Sequence, residues 1–363
     1  MADSEAEFDV LLLTGRFEVR GSSAYSIRLA SGLEQERVAA RLVASDAGCL
    51  CPIERQKLAV REFSHVTTPL WGCVMRQFLW RELRQNPPAL IHIQSHKVLS
   101  LGRWLAQKLQ RPYVVTIHEH LSPCERGRID PATCRQVIAV SESVRNDLIN
   151  RLKVPANLVT VITSGVETQM PHGLPMPLEP GHIPVIGTAS PLEIVKGLPY
   201  FLGAARQVLE VRNHVEFLVA GAGPEEANLR RMSRDLGITG QITFIPNIRS
   251  FRDALAATDI FCLPSLQQGL GTTMLEAMAF GRPVIASGVG GVASVIRDGQ
   301  TGLVVPPRNS AELARRMIEL LDNPTRARAL GNQARRLVVE DYNVSTMVRK
   351  TAAIYRVALK PGA

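Results

Sequence analysis

Apolar residues in this chain fall into short continuous runs, separated by longer stretches where they recur every three or four positions. The runs have strand length and are rich in β-branched residues: DVLLLT (9–14), AARLVAS (39–45), ALIHIQS (89–95), YVVTIH (113–118), QVIAVS (136–141) and LVTVIT (158–163). Strands this uniformly apolar need cover on both faces. Helical patterns at 23–35, 98–109 and 142–152 supply it, which predicts a parallel sheet. The rhythm breaks at MPHGLPMPLEPGHIP (170–184), where five prolines and two glycines hold no period, and this reads as an interdomain linker. It restarts with PVIGTAS (184–190), VEFLVAG (215–221), QITFIP (241–246), DIFCLPS (259–265), PVIAS (283–287) and GLVVPP (302–307), with helices that include 225–236 and 272–280. From Ser310 the pattern is helical, with breaks near Pro324 and Asp341.

The prediction is an α/β chain of two Rossmann-like, doubly wound parallel-sheet domains. The first spans 1–169, a linker 170–183, the second 184–340, and a C-terminal helix in 341–363 is placed to return to the first domain. Such sheets bind ligands beyond the carboxyl ends of their strands. With two domains, the cleft between them is the expected active site.

Length agrees with two cores, since 363 residues exceed what one hydrophobic core usually supports. Apolar residues at 45% and charged residues at 21% are the balance of an ordinary soluble protein. No apolar run approaches the roughly 20 residues a membrane span needs. The opening MADSEAEFDV is acidic and lacks the basic start and apolar core of a secretory signal, so a cytoplasmic location is expected. The six cysteines (49, 51, 73, 124, 134, 262) are scattered; Cys49-x-Cys51 is too tight for a usual zinc knuckle, and reduced thiols are expected. The net charge of +9, carried mostly by arginine, favours anionic partners: nucleotides, phosphorylated substrates, an acidic membrane surface or nucleic acid.

The candidate chemistry lies in QGLGTTMLE (268–276), between a buried strand and a helix. A helix starting near Gly271 or Thr272 offers unpaired N–H groups and the positive end of its dipole. Gly269 and Gly271 let an anion approach past Leu270, and the hydroxyls of Thr272 and Thr273 add donors, which makes a phosphate site. Glu276, one turn in, would repel a close phosphate but suits both hydroxyls of a ribose. A plain strand–helix turn with an exposed glutamate fits the local pattern equally well. Two further glycine turns follow strands, at AGAGPEE (220–226, with Gly221 and Gly223) and SGVGGV (287–292). Lys196, just past the first strand of this domain, is placed to reach a diphosphate, although a lone lysine is more often solvent-exposed.

At LPSLQQGLGTTMLEAMAFGRPVIASGVGGVASVIRDGQTGLVVPPRNSAELA (263–314) the chain resembles the family 4 retaining glycosyltransferases of the GT-B fold, which include bacterial mannosyltransferases and sugar-nucleotide-dependent synthases. The resemblance runs from about 183 to 356. VVTIHEH, VIAVSESVRNDLI and VTVITSGVE in the first domain carry it more loosely. It implies a metal-independent hexosyltransferase in which a nucleotide-sugar is co-substrate and no cofactor is needed. In relatives two glutamates with seven residues between them bind the donor. Glu276 matches the ribose-binding one, while Gln268, an amide, stands at the sugar-binding one. Lys196 matches a diphosphate-binding lysine, but Pro191 replaces its arginine partner, and so a bidentate phosphate clamp is lost. Ser294 stands where a glutamate is common. In the first loop Arg20-Gly21-Ser22-Ser23 replaces Gly-Gly-x-Glu, leaving Gly21 and Ser22 as the acceptor-side loop. His118 matches a histidine beneath the transferred sugar; His120, His92 and His96 read as structural or acceptor-side.

No Asp-x-Asp occurs, so helix N-termini and basic groups must neutralise the leaving diphosphate. PLWGCVMRQFLWRELRQ (69–85) puts Trp71, Met75, Phe78, Leu79 and Leu83 near one helical face, with Arg76, Arg81 and Arg84 elsewhere. Such a helix either covers a sheet or makes a peripheral contact with the inner membrane face or a lipid-linked acceptor.

The expected function is therefore retaining transfer of a sugar from a UDP- or GDP-sugar to a hydroxyl acceptor, in polysaccharide, glycolipid or cell-envelope glycan synthesis. The catalytic set is His118, Lys196, Gln268 and Glu276, and the donor set adds Gly221, Gly223 and residues 269–273. The alternative is a nucleotide-sugar-binding scaffold or regulator, motivated by Gln268, Pro191 and Ser294. A nucleic-acid partner is not expected, because no recognisable module or aromatic-interleaved basic patch is present.

Overall fold

A computed structural model describes residues 6–66, 68, 71–121, 129–130, 133–246 and 250–360. The chain forms two compact units, one made of Met1–Gly165 with Val344–Ala363 and the other of Val166–Asn343.

The first unit runs β1 (Phe8–Leu13), α1 (Gly21–Gly32), β2 (Val38–Ala44), α2 (Pro52–Lys57), β3 (Arg61–Glu62), α3 (Trp71–Gln85), β4 (Leu90–Ile93), α4 (Leu99–Leu109), β5 (Tyr113–Ile117), β6 (Cys134–Ala139), α5 (Glu142–Asn150) and β7 (Val159–Val161). Its sheet has the order β3-β2-β1-β4-β5-β6-β7, all pairs parallel, with Val10 opposite Ala40 on one side and Leu90 on the other. The order reverses between β1 and β4, so the loops leaving these two strands part at their carboxyl ends. Edge strand β3 is two exposed residues, Arg61 and Glu62, and has no apolar pattern by which the sequence could announce it. Helix starts follow local chemistry. The Ser141 hydroxyl accepts from the Val144 N–H at 3.2 Å to begin α5, and Cys51 with Glu54 forms a reciprocal cap on α2.

The second unit runs β8 (Val185–Ala189), α6 (Leu198–Val211), β9 (Glu216–Ala220), α7 (Glu226–Asp235), β10 (Ile242–Ile245), α8 (Arg252–Ala256), β11 (Ile260–Leu263), α9 (Thr272–Ala279), β12 (Val284–Ser287), β13 (Leu303–Val305), α10 (Ser310–Asp322) and α11 (Pro324–Asp341). Its parallel sheet has the order β10-β9-β8-β11-β12-β13 and reverses between β8 and β11. The last helix, α12 (Val344–Ala358), packs in the first unit. Its Met347, Val348, Ala352, Tyr355 and Ala358 join Val10, Leu12, Tyr25 and Leu29 in one apolar core. Each large side chain buried this way contributes about 1.5–3 kcal/mol.

The stretch 170–183, predicted as a linker, lies within the second unit. Leu178 is part of that unit's core. Asp259, itself buried, accepts from the Leu178 N–H at 2.7 Å and the Val185 N–H at 2.8 Å. The Arg282 guanidinium, 1% exposed, donates to the Pro175 carbonyl, and Arg328 donates to the carbonyls of Pro177 and Leu178. Proline denies this stretch a strand or helix ladder, so its carbonyls are satisfied by arginine side chains arriving from elsewhere.

The apolar face of α3 divides in two. Leu79 and Leu83 are buried, whereas Trp71 (68% exposed), Val74 and Phe78 (54%) form a second stripe facing solvent. Pro69 and Leu70 of this segment, and Cys124, lie outside the described residues. Among the described residues no helix is long and apolar enough to cross a membrane.

Candidate active site

The second unit gathers its glycine turns at the carboxyl ends of β8, β9, β11 and β12. Four neighbouring strands therefore deliver four loops to one rim. Because the sheet order reverses between β8 and β11, the chains leaving those two strands turn to opposite faces and open a crevice between them. The loop after β8 and the loop after β11 are stitched together there. The Val195 carbonyl accepts from the Leu266 N–H at 2.8 Å and from the Gln267 N–H at 3.3 Å. Gly197, at φ +65°, lets the two backbones touch, since a Cβ there would lie 2.1 Å from the Pro264 carbonyl oxygen.

This stitching sets Lys196 and Gln268, 72 residues apart in sequence, side by side. The Lys196 ammonium donates to Gln268 Oε1 at 3.3 Å, and the buried Ser265 hydroxyl donates to the same oxygen at 3.2 Å. The backbone of Gln268 is gripped in turn by the turn after β12. The Gly291 N–H donates to its carbonyl at 3.3 Å, and Gly290 lies so close that a Cβ would sit 1.7 Å from that oxygen.

From Gln268 the chain passes through buried Gly269, Leu270 and Gly271 into α9. Gly271 has φ +97°, a left-handed conformation that lets the helix start abruptly. The amides of its first turn have no carbonyl one turn behind them, and the half-buried Thr272 and Thr273 stand among them. Glu276 is four residues beyond Thr272, on the same helix face, and only 7% exposed. The glutamate is therefore not exposed, as a plain strand–helix turn would have left it.

Gly221 and Gly223 have a different reason to be glycine. A Cβ at Gly221 would lie 2.0 Å from the Ser190 carbonyl oxygen, and one at Gly223 would lie 2.4 Å from that of Leu192. Both let the β9 turn pack against the exit of β8, where Leu192 also exchanges backbone hydrogen bonds with Ala222 and Glu225. They build the rim on which Lys196 stands. Pro191 is half-buried in the same exit, and the exposed Ser294 turns its hydroxyl to the Gly291 carbonyl at 2.6 Å.

In the first unit the loops leaving β1, β4 and β5 carry the candidates. Gly21 and Ser22 open α1, and the Ser22 carbonyl accepts from Ser26, whose hydroxyl also donates to Gln94 Oε1 at 3.2 Å. His118 directly follows β5 and lies against the Tyr25 ring, with centroids 4.9 Å apart and edge to face. Burial lowers its imidazole to about 4. The neighbouring His96 pushes the same way, while a hydrogen bond to the Gln94 backbone opposes it. His118 Nε2 is buried and pairs with no protein group.

His92, one strand over, is held neutral by burial, which pulls it to about 3. Its two ring nitrogens meet the Tyr355 hydroxyl at 2.5 Å and the Thr116 hydroxyl at 2.7 Å. It is thus a satisfied core group tying α12 to the sheet. His120 is also partnered, with Ser143 at 3.1 Å, and His96 lies 4.0 Å from Glu119. The two histidines therefore separate: His92 is spent inside the core, and His118 keeps an unspent nitrogen.

Ser265, Tyr25, Gln94 and Tyr355 carried no signal in the sequence. Each sits in a strand, strand end or helix pattern that ordinary core residues would fill. Only the spatial neighbours Gln268, His118 and His92 give them a role.

Two sequence models of glycosyltransferase families match the chain: "Glycosyltransferase Family 4" over residues 19–170 and "Glycosyl transferases group 1" over residues 183–323. Together they account for most of its length, and the chain belongs to this glycosyltransferase family. Among similar proteins, an alpha-D-kanosaminyltransferase of Streptomyces kanamyceticus is 30% identical over 181 residues, covering 48% of this chain and 45% of that protein. A D-inositol 3-phosphate glycosyltransferase of Rhodococcus erythropolis is 32% identical over 296 residues, covering 71% of this chain and 66% of that protein. The chain thus spans about half and just under two thirds of these two relatives. The crystal structure of Anabaena HepE in complex with UDP-glucose superimposes with a TM-score of 0.84 at 20% identity, over 97% of this chain and all of that one. The fold is accordingly GT-B, as the motif in 263–314 implies.

Proposed function

We propose that this chain transfers a sugar, with retention of anomeric configuration, from a UDP- or GDP-sugar to a hydroxyl acceptor in polysaccharide, glycolipid or cell-envelope glycan synthesis. The observation that carries the reading is the meeting of Lys196 and Gln268 at the strand-order reversal, beside the first-turn amides that open α9. A diphosphate set on those amides is neutralised by the helix dipole and the Lys196 ammonium. Glu276 then stands one helical turn beyond Thr272, where a carboxylate can accept from both ribose hydroxyls. Gln268 holds the transferred sugar.

Bond cleavage leaves negative charge on the β-phosphate, and groups already aimed at that charge lower the barrier without reorganising. The leaving phosphate deprotonates the acceptor hydroxyl as it attacks. His118, neutral and with a ring nitrogen that pairs with no protein group, is assigned the reaction side, and Gly21 and Ser22 the acceptor-side loop. No step needs a metal, so turnover in EDTA should match that in magnesium.

Donor turnover by Glu276→Ala and Lys196→Ala variants tests the assignment. Each is expected to fall at least about tenfold, the scale of one lost charge-assisted hydrogen bond. Wild-type turnover by both would remove it. The exposed Trp71, Val74 and Phe78, with Arg81 and Arg84 on the same helix, support a peripheral membrane contact that brings a lipid-linked acceptor to a cytoplasmic enzyme. Cosedimentation with anionic but not neutral vesicles, lost in Trp71→Ser/Phe78→Ser, tests that part. A non-catalytic binding role is favoured by the three replacements Gln268, Pro191 and Ser294; nucleotide affinity without release from any sugar donor would select it.

A further inference from the structure

Gln268 stands where the proposed donor sugar sits, and its neighbours decide which end of its amide faces that sugar. A lysine ammonium carries three donors and no acceptor, so the atom 3.3 Å from Lys196 must be the carbonyl oxygen and not the amide nitrogen. The buried Ser265 hydroxyl adds a second donor to the same oxygen at 3.2 Å. A carbonyl oxygen has two lone pairs, and both are now used. Gly290 and Gly291 hold the Gln268 main-chain carbonyl, which fixes where the side chain leaves the backbone, and Lys196 and Ser265 hold its amide from there. What remains of Gln268 is its NH₂ group, two donors for which the described residues supply no acceptor.

A sugar hydroxyl placed against this group finds something to accept from and nothing to give to. In a closed site its own hydrogen is then unpaired, which costs affinity. An oxygen that only accepts is fully satisfied there. We propose that Gln268 is a specificity-determining residue presented as a pure hydrogen-bond donor, and that the sugar transferred carries an sp² acceptor oxygen at that point. The chemistry is that of a glycuronic acid carboxylate or an acetamido carbonyl. A glutamate in its place would do the reverse, accepting from hydroxyls and repelling a carboxylate. Ser265 is the positioning residue, since its hydroxyl fills the second lone pair and fixes the amide. The inference rests on the nucleotide-sugar reading above.

The experiment begins with calorimetric titration of wild-type protein with UDP and with GDP. The glucose, N-acetylglucosamine and glucuronic acid esters of whichever nucleotide binds then follow, on wild type, Gln268→Glu and Ser265→Ala. Wild type is expected to favour the glucuronate or the acetamido ester over the glucose ester by about tenfold, and which of the two it favours names the source of the acceptor oxygen. Gln268→Glu should reverse the order, most strongly for glucuronate, and Ser265→Ala should narrow the preference, because its amide is free to turn. Using the ratio between esters cancels any change in nucleotide affinity when the new carboxylate draws on Lys196. Equal binding of the three esters by wild type, or a preference that Gln268→Glu leaves unmoved, overturns the inference while the nucleotide reading stands. Failure of both bare nucleotides to bind overturns the nucleotide reading and this inference with it.

Discussion

A single methyl group at position 290 separates the structural from the functional demands of the donor rim. Gly290 has φ +56°, and a Cβ there would fall 1.7 Å from the Gln268 carbonyl oxygen, whereas real Cβ contacts do not fall below 3.0 Å. Gly290→Ala therefore incurs two costs. The left-handed backbone costs about 1 kcal/mol for any residue with a Cβ. The clash adds a displacement, since two backbone segments must part by roughly 1 Å, a misplacement able to cost about 10²-fold in rate at a reacting centre. Gly299 supplies the control. It has φ +72°, and a Cβ there meets nothing within 4 Å. Gly299→Ala should lower Tm by about 2–4 °C, the shift that 1 kcal/mol produces in a unit of this size, with donor turnover kept. Gly290→Ala should lower Tm by at least as much and donor turnover by about 10²-fold. Thermal melts and initial rates on the two variants decide the matter. A Gly290→Ala protein with the turnover of wild type and the Tm of Gly299→Ala would show that Gln268 is not positioned by this turn.

Acid should loosen the first unit in a defined window. His92 and His118 titrate near 6.5 unfolded but near 3 and 4 folded, so the unfolded chain binds the extra protons and stability falls as pH drops below 6.5, by about 1.4 kcal/mol per unit for each histidine. Urea midpoints from pH 7.5 to 5 on wild type and His92→Asn should show the shallower slope in the variant, and equal slopes would refute the assignment. His182 behaves oppositely. Its hydrogen bond to Asp259 at 2.9 Å raises its pKa, so that contribution is complete below about pH 6.5 and is lost as pH rises through the raised value. Asp259→Asn should abolish this alkaline loss in melts. Tyr355→Phe strands a buried ring nitrogen of His92 and should cost about 1–3 kcal/mol by chemical denaturation, with nucleotide affinity unchanged.

Much of the fold was legible because its signal is periodic. Twelve of the strands are apolar runs a few residues long that no amphipathic helix would write, and each run predicted from the pattern lies on a strand of one sheet or the other. β3 escaped because two exposed charged residues at a sheet edge bury nothing. Proline content in 170–183 reports what a backbone cannot do and is silent about what Asp259, Arg282 and Arg328 do for it. Glu276 and Lys196 could be named from a motif, but the local pattern allowed an exposed glutamate and a solvated lysine. The structure shows the one buried and the other hydrogen-bonded to Gln268, which no linear pattern reveals.

The order of apolar and polar residues along this chain determined the number of domains, their parallel α/β character and the turns where glycine was indispensable, because those depend on periodicity and on φ, which are local. Tertiary structure decided which loops become neighbours. The strand-order reversal between β8 and β11 brings Lys196 to Gln268, and the packing of Gly290 and Ser265 fixes which end of an amide is offered. Contacts across 72 residues leave no mark in a linear pattern, since either partner alone is an ordinary polar residue in an ordinary loop.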